Sequence, residues 1–179
     1  AHARRRGAEL SEVWRQSGVH MVVDVRSMPR SRTNPQVNLD ALPDELARRQ
    51  IGYEHIAELG GLRGKLRGSD PSLNAYWRVR SFRNYADYAL TAPFAAGLAR
   101  LREQGNRRSC AIMCSEAVWW RCHRRIITDY LRADGDQVKL ILRKPTVEAA
   151  SLTPGPAVRG ARETAHHAHG PPTNRQNKP

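Results

Sequence analysis

Hydrophobic and polar positions along the chain change period several times, and each change marks an element. Residues 8–17, "AELSEVWRQS", read as a helix ended by Gly18 at its C-cap. "VHMVVDVRS" follows, a short β-branched apolar run that predicts a buried strand at Met21–Val25. The polar stretch "MPRSRTNPQVN" has two prolines and continues neither element. "NLDALPDELARRQIG" places Leu42, Leu46 and Ile51 at helical spacing, with Pro43 in the first turn and a closing glycine. "YEHIAELGG" predicts a short strand and a glycine turn. Residues 61–81 are glycine-rich, basic and without period, as in a long loop. "FRNYADYALTAPFAAGLARLREQG" is helical, with a break at Thr91–Pro93 and a stop at Gly105. Then come a strand in "SCAIMCS", a helix in "WRCHRRIITDYLRADG" and a last strand in "QVKLILR".

Strands alternating with helices predict a single α/β domain, residues 1–144, with a largely parallel sheet flanked by helices. Only one helix precedes the first strand, so an opening strand is expected to be missing. From residue 145 to 179 the periodicity ends in Pro, Gly, Ala and polar residues, which predicts a disordered tail. Its "HHAH" offers weak metal ligands but reads as a solvated low-complexity tract. No internal repeat is present.

Composition adds a bias. The formal net charge is +13, almost all of the excess being arginine. That favours an anionic partner such as a nucleotide, phosphate or nucleic acid. The basic blocks are short and the aromatics few, so neither a basic arm nor a stacking platform for single strands is advertised. No apolar run approaches a membrane span, and the basic N-terminus has no apolar segment after it to make a secretory signal. Three cysteines are too few for a disulfide framework, which points to the reducing cytoplasm.

Two strand exits carry chemistry. In an open α/β sheet ligands gather beyond the carboxyl ends of the strands, where strand order reverses. The first exit supplies Asp24, Arg26, Arg30, Arg32 and Asn34. Its arginines can grip an anion by two-point pairing, unless one of them pairs with Asp24 and the rest are solvated. The second exit, "CSEAVWWRCHRR", puts Cys114 at a strand end and Cys122–His123 near the N-terminal turns of the next helix. That helix end and Arg121, Arg124 and Arg125 favour a thiolate and a bound anion. Glu116 lies between and can act as acid or base.

Three readings of this cluster differ in spacing. Zinc needs about four ligands, whereas Cys114, Cys122 and His123 are three with spacing C-x7-C-H, and adjacent Cys–His residues rarely reach one metal. A cysteine phosphatase loop has five residues between cysteine and arginine, whereas six separate Cys114 from Arg121. Buried structural thiols on a basic helix are the plain alternative, and Cys110 fits it best. No metal or cofactor is expected.

"VVDVRSMPRSRTNPQVN", "YEHIAELGGLRG", "FRNYADY" and "AIMCSEAVWWRCHRRIITDYL" together resemble the domain of unknown function 488 family, from about residue 8 to 143. The resemblance points to Asp24, Arg26, Pro29, Ser31, Asn34, Pro35 and Asn38. It also points to Glu58, Gly60, Gly61 and Tyr85, and to Cys114, Glu116, Cys122, His123 and Arg124. Val37 departs from it, where an aromatic is usual, and the start lacks the family's opening strand, "AHA" being read as its remnant with His2 a displaced site residue. The resemblance implies a fold and a pocket, not a reaction.

The expected function is that of a cytoplasmic enzyme or enzyme-like protein acting on a phosphate-bearing ligand. Arg26, Arg30 and Arg32 would hold the anion, Cys114 or Cys122 would be nucleophile, and Glu116 and His123 would handle protons. A non-catalytic nucleic-acid-binding module and a thiol-based redox sensor are the alternatives.

Overall fold

The computed structural model describes residues 7–116, 118–141 and 147–153. Helix α1 (Gly7–Gln16) leads through Gly18, in the left-handed region at φ 67°, into β1 (Met21–Asp24). A short 3-10 turn at Pro35–Val37 and helix α2 (Leu42–Ala47) precede β2 (Gly52–His55). A second 3-10 turn at Ala57–Leu59 and the long loop follow, then α3 (Arg80–Tyr88), α4 (Ala92–Arg107) and β3 (Cys110–Met113). Helix α5 (Arg124–Ala133) comes after a 3-10 turn at Trp119–Arg121. Strands β4 (Lys139–Ile141) and β5 (Val147–Ala149) end the described chain.

The sheet is parallel, in the order β2-β1-β3, so the domain is α/β as the alternation predicts. Central β1 is buried along its whole length. Val22 faces a cluster with Leu10, Trp14, Leu42 and Leu46 from α1 and α2. Met21, Val23 and Val25 face the larger cluster with Tyr85, Phe94, Ile126 and Ile127 from α3, α4 and α5. Helices on both faces explain why β1 is apolar at successive positions rather than alternating.

Two elements differ from expectation. Helix α4 runs to Arg107, past Gly105, because the Arg108 amide still finds the Gln104 carbonyl at 3.1 Å. Strand β4 does not extend the parallel sheet but pairs antiparallel with β5, inside the stretch assigned to the tail. Asp129 then accepts the Thr153 amide at 2.8 Å, tying this hairpin to α5. His2, the "HHAH" tract and the rest of the tail lie outside the described residues. Among the described residues no helix is long and apolar enough to cross a membrane.

The long loop is tied down at intervals. Arg63 donates to the carbonyls of Ala57, Glu58 and Gly60 and sits 3.8 Å over the Tyr88 ring. The Arg63 carbonyl accepts from Asn84, the Pro71 carbonyl from Arg83, and Asn74 donates to Asp87. Buried Trp77 stacks on Phe82 with 5.2 Å between centroids, and Arg125 lies 5.1 Å over its ring.

Candidate functional site

Because β1 is flanked by both other strands, its carboxyl end lies beside both of theirs. Asp24 pairs with Met113 on one side and His55 on the other, so the chain leaves the sheet at three neighbouring points. Asp24 is fully buried. It accepts from Arg26 Nε at 2.9 Å, from the Arg26 amide at 3.0 Å and from the Tyr53 hydroxyl at 2.7 Å. Arg26 Nη2 adds a bond to Asp24 and another to the Val37 carbonyl at 2.7 Å. Burial opposes the Arg26 charge, but the Asp24 carboxylate outweighs it and holds the guanidinium above its ordinary pKa. Burial, then the Asp24 bond, pushes the Tyr53 hydroxyl up as well. The Arg26 carbonyl meets His55 Nε2 at 2.8 Å, locking the start of the loop to β2.

At the β3 exit, Cys114 follows the strand directly. Cys122 is extended (φ −133°, ψ 153°), whereas His123 at the α5 N-cap is helical (φ −56°, ψ −20°). That change of backbone turns two adjacent side chains to the same side. Cys122 Sγ lies 3.4 Å from Cys114 Sγ and 3.4 Å from His123 Nδ1, and Cys114 Sγ lies 4.0 Å from the same nitrogen. His123 Nε2 meets the Val25 carbonyl at 3.0 Å. A carbonyl only accepts, so Nε2 carries a proton and Nδ1 faces the sulfurs. Arg124 donates Nε–H to Cys122 Sγ at 3.4 Å and Nη2–H to the Glu116 carbonyl. The proton shared by the two thiols belongs on Cys114, since Cys122 has the guanidinium. Cys122 is pushed well below the ordinary thiol value, chiefly by its bond with Cys114 and then by His123 and Arg124 against the cost of burial. Cys114 moves up, through that same bond and burial.

Both sulfurs lie at the edge of an open cleft of about 410 Å³. Among the residues foreseen from sequence, Arg26, Arg30, Cys114, Glu116, Cys122 and His123 line it. Arg30 and Arg121 are exposed there and have no side-chain partner among the described residues. Asp24, Arg32, Asn34 and Arg124 do not line it. Arg32 points to solvent, Asn34 precedes the Pro35–Val37 turn without a side-chain bond to it, and Asp24 and Arg124 act from behind. Of the sequence alternatives for the first loop, the one pairing an arginine with Asp24 describes Arg26.

Gly61 and Tyr85, indicated by the family resemblance alone, have a spatial reason. A Cβ on Gly61 would stand 2.3 Å from His123 Nδ1, so only glycine leaves that nitrogen its place beside the cleft. Tyr85 packs its ring 5.0 Å from the imidazole and donates its hydroxyl to the Leu59 carbonyl at 2.8 Å. Gly60 likewise makes room for Ser27, whose Oγ accepts the Leu62 amide at 2.9 Å. Tyr53 and His55 escaped sequence reading. Their spacing of two in a strand, which puts both on one face, was the available signal.

Such an arrangement can present sulfur as a nucleophile, join the sulfurs, or hold a thiophilic cation, and it can seat an anion near Arg30 and Arg121. The family model "Domain of unknown function DUF488" matches residues 8–131. No curated protein and no solved structure matches the chain significantly.

Proposed function

Since the chain belongs to the DUF488 family, whose description names no activity, we propose from the cleft itself an enzyme that acts on a phosphate-bearing ligand through the Cys122 sulfur. One observation carries this reading. Cys122 Sγ is within 3.4 Å of the Cys114 sulfur, the His123 imidazole and the Arg124 Nε, in a cleft that also holds two guanidiniums with no side-chain partner among the described residues. Thiolate is the attacking form, and donors around a sulfur favour it. Arg30 and Arg121 seat the anion by forked hydrogen bonds. The sulfur bonds to the electrophilic atom while the leaving group departs with the bonding pair. Water then releases the adduct and restores the thiolate, Glu116 taking the proton of that water. His123 and Arg124 are positioning residues that hold the sulfur ready.

Turnover of a panel of phosphomonoesters, phosphodiesters and nucleotides by the reduced chain tests this. Cys122→Ser should remove turnover, and Arg30→Ala with Arg121→Ala should raise KM more than they lower kcat. Unchanged turnover in Cys122→Ser overturns it.

The 3.4 Å between sulfurs supports a second reading, a cysteine pair that senses oxidant by closing a disulfide. Loss of two free thiols under mild peroxide, reversed by a phosphine reductant, is its signature. A polymeric nucleic-acid ligand is supported by net charge alone, and a binding series against salt that survives Cys122→Ser identifies it.

A further inference from the structure

We infer that Cys114 Sγ, Cys122 Sγ and His123 Nδ1 form a binding site for one thiophilic divalent cation of the zinc class, with its fourth coordination position open to the cleft. The three atoms all lie within 4.8 Å of one another. Tetrahedral zinc requires bonds of about 2.3 Å to sulfur and about 2.0 Å to nitrogen, which sets S···S at about 3.8 Å and S···N at about 3.5 Å. The separations here are 3.4 Å between the sulfurs, with 3.4 and 4.0 Å from sulfur to nitrogen. Side-chain shifts of a few tenths of an ångström close the difference. The spacing C-x7-C-H argues against such a site, because adjacent residues rarely converge. The turn from extended Cys122 to helical His123 removes that objection.

An independent feature points the same way. His123 donates its far nitrogen to the Val25 carbonyl, the second hydrogen bond that orients histidines bound to metal. Three protein ligands with a cleft at the fourth position is the open pattern of a site that exchanges water or ligand, not the closed pattern of a structural one. Soft sulfur ligands favour zinc over magnesium or calcium. Binding needs both sulfurs as thiolates, so the proton they share passes to solvent as the cation enters.

The inference rests on the same cleft as the proposed activity and goes beyond it. A metal-bound thiolate is a weaker nucleophile than a free one, so zinc at this site would compete with the proposed chemistry of Cys122.

The probe is Co²⁺ alone, added to the reduced, chelator-stripped full chain and then displaced by Zn²⁺. A thiolate-to-cobalt charge-transfer band saturating at about one cobalt per chain is expected, with the visible bands of four-coordination. Such a band requires sulfur, so His166, His167 and His169 of the tail do not imitate it. Loss of an outer partner costs metal affinity about 10–100-fold, so Cys114→Ser and Cys122→Ser should each cost more than about 100-fold. Cys110→Ser should bind as wild type. As a measurement free of variants, Zn²⁺ should shield Cys114 and Cys122 from alkylation while Cys110 labels unchanged. Absence of a sulfur band, unchanged cobalt affinity in Cys122→Ser, or no shielding overturns the site. The metal-free turnover assay decides the activity separately, so either claim can fail while the other stands.

Discussion

Removing the Asp24 carboxylate tests the frame on which the cleft is built. Asp24→Ala leaves the Arg26 guanidinium, 3% exposed, without its counter-charge, and leaves the Arg26 amide and Tyr53 hydroxyl without their acceptor. Breaking a buried pair from one side costs about 3–5 kcal/mol, because the remaining charge is stranded in a poor dielectric. In a domain of this size each kcal/mol shifts Tm by about 2–4 °C, so the fall should be about 6–20 °C. The assay is urea and thermal unfolding of wild type, Asp24→Ala, Arg26→Ala and the double variant at neutral pH. The double variant should cost less than the sum of the singles, by about 1–3 kcal/mol, since it strands no charge. A loss below about 1 kcal/mol for Asp24→Ala, or strict additivity, refutes the claim that this pair anchors the β1 exit.

Other consequences can be checked more quickly. Gly61→Ala should keep the fold but displace the His123 ring, weakening cobalt affinity and slowing Cys122 alkylation; unchanged affinity refutes the close approach. In the metal-stripped chain, iodoacetamide should label Cys122 at lower pH than an ordinary thiol, because the bond with Cys114, then His123 and Arg124, hold its pKa below the ordinary value. Cys110, which burial holds above the ordinary thiol value, should label only in alkaline solution, and equal pH profiles would contradict the assignment. Anion affinity should fall with salt and with Arg30→Ala or Arg121→Ala, since those exposed charges are screened beyond a Debye length of about 8 Å at physiological ionic strength. An anion whose affinity ignores both would not be held by them.

Much of the site's location was legible because a parallel sheet aligns strand exits. The runs "MVVD" and "CAIM" announce their strands, and their pairing brings Val25 and Cys114 together. The division of labour among the arginines was not legible. Arg26 and Arg30 look alike in sequence, and what separates them is Tyr53 and Val37, which meet Arg26 and Asp24 only through folding. The hairpin was missed for a related reason. "VEA" has no strand pattern of its own and is extended because β4 offers it partners. Gly105 misled because a glycine ends a helix only where the backbone needs positive φ, and there it does not.

The spaced ties along the long loop bear on how this arginine-rich chain meets a protease. Between the anchors at Arg63 and Pro71 lies one untethered span, "GKLRGSD", whose hydrogen bonds are local ones around Ser69 and Asp70. Trypsin needs several residues free to extend through its active-site groove. Among the described residues, Lys65 and Arg67 sit in the span with most slack, so of the sites within them a brief digest should cut there first, leaving the two parts joined by the sheet and α3. The long loop thus behaves as a short one with a single tip.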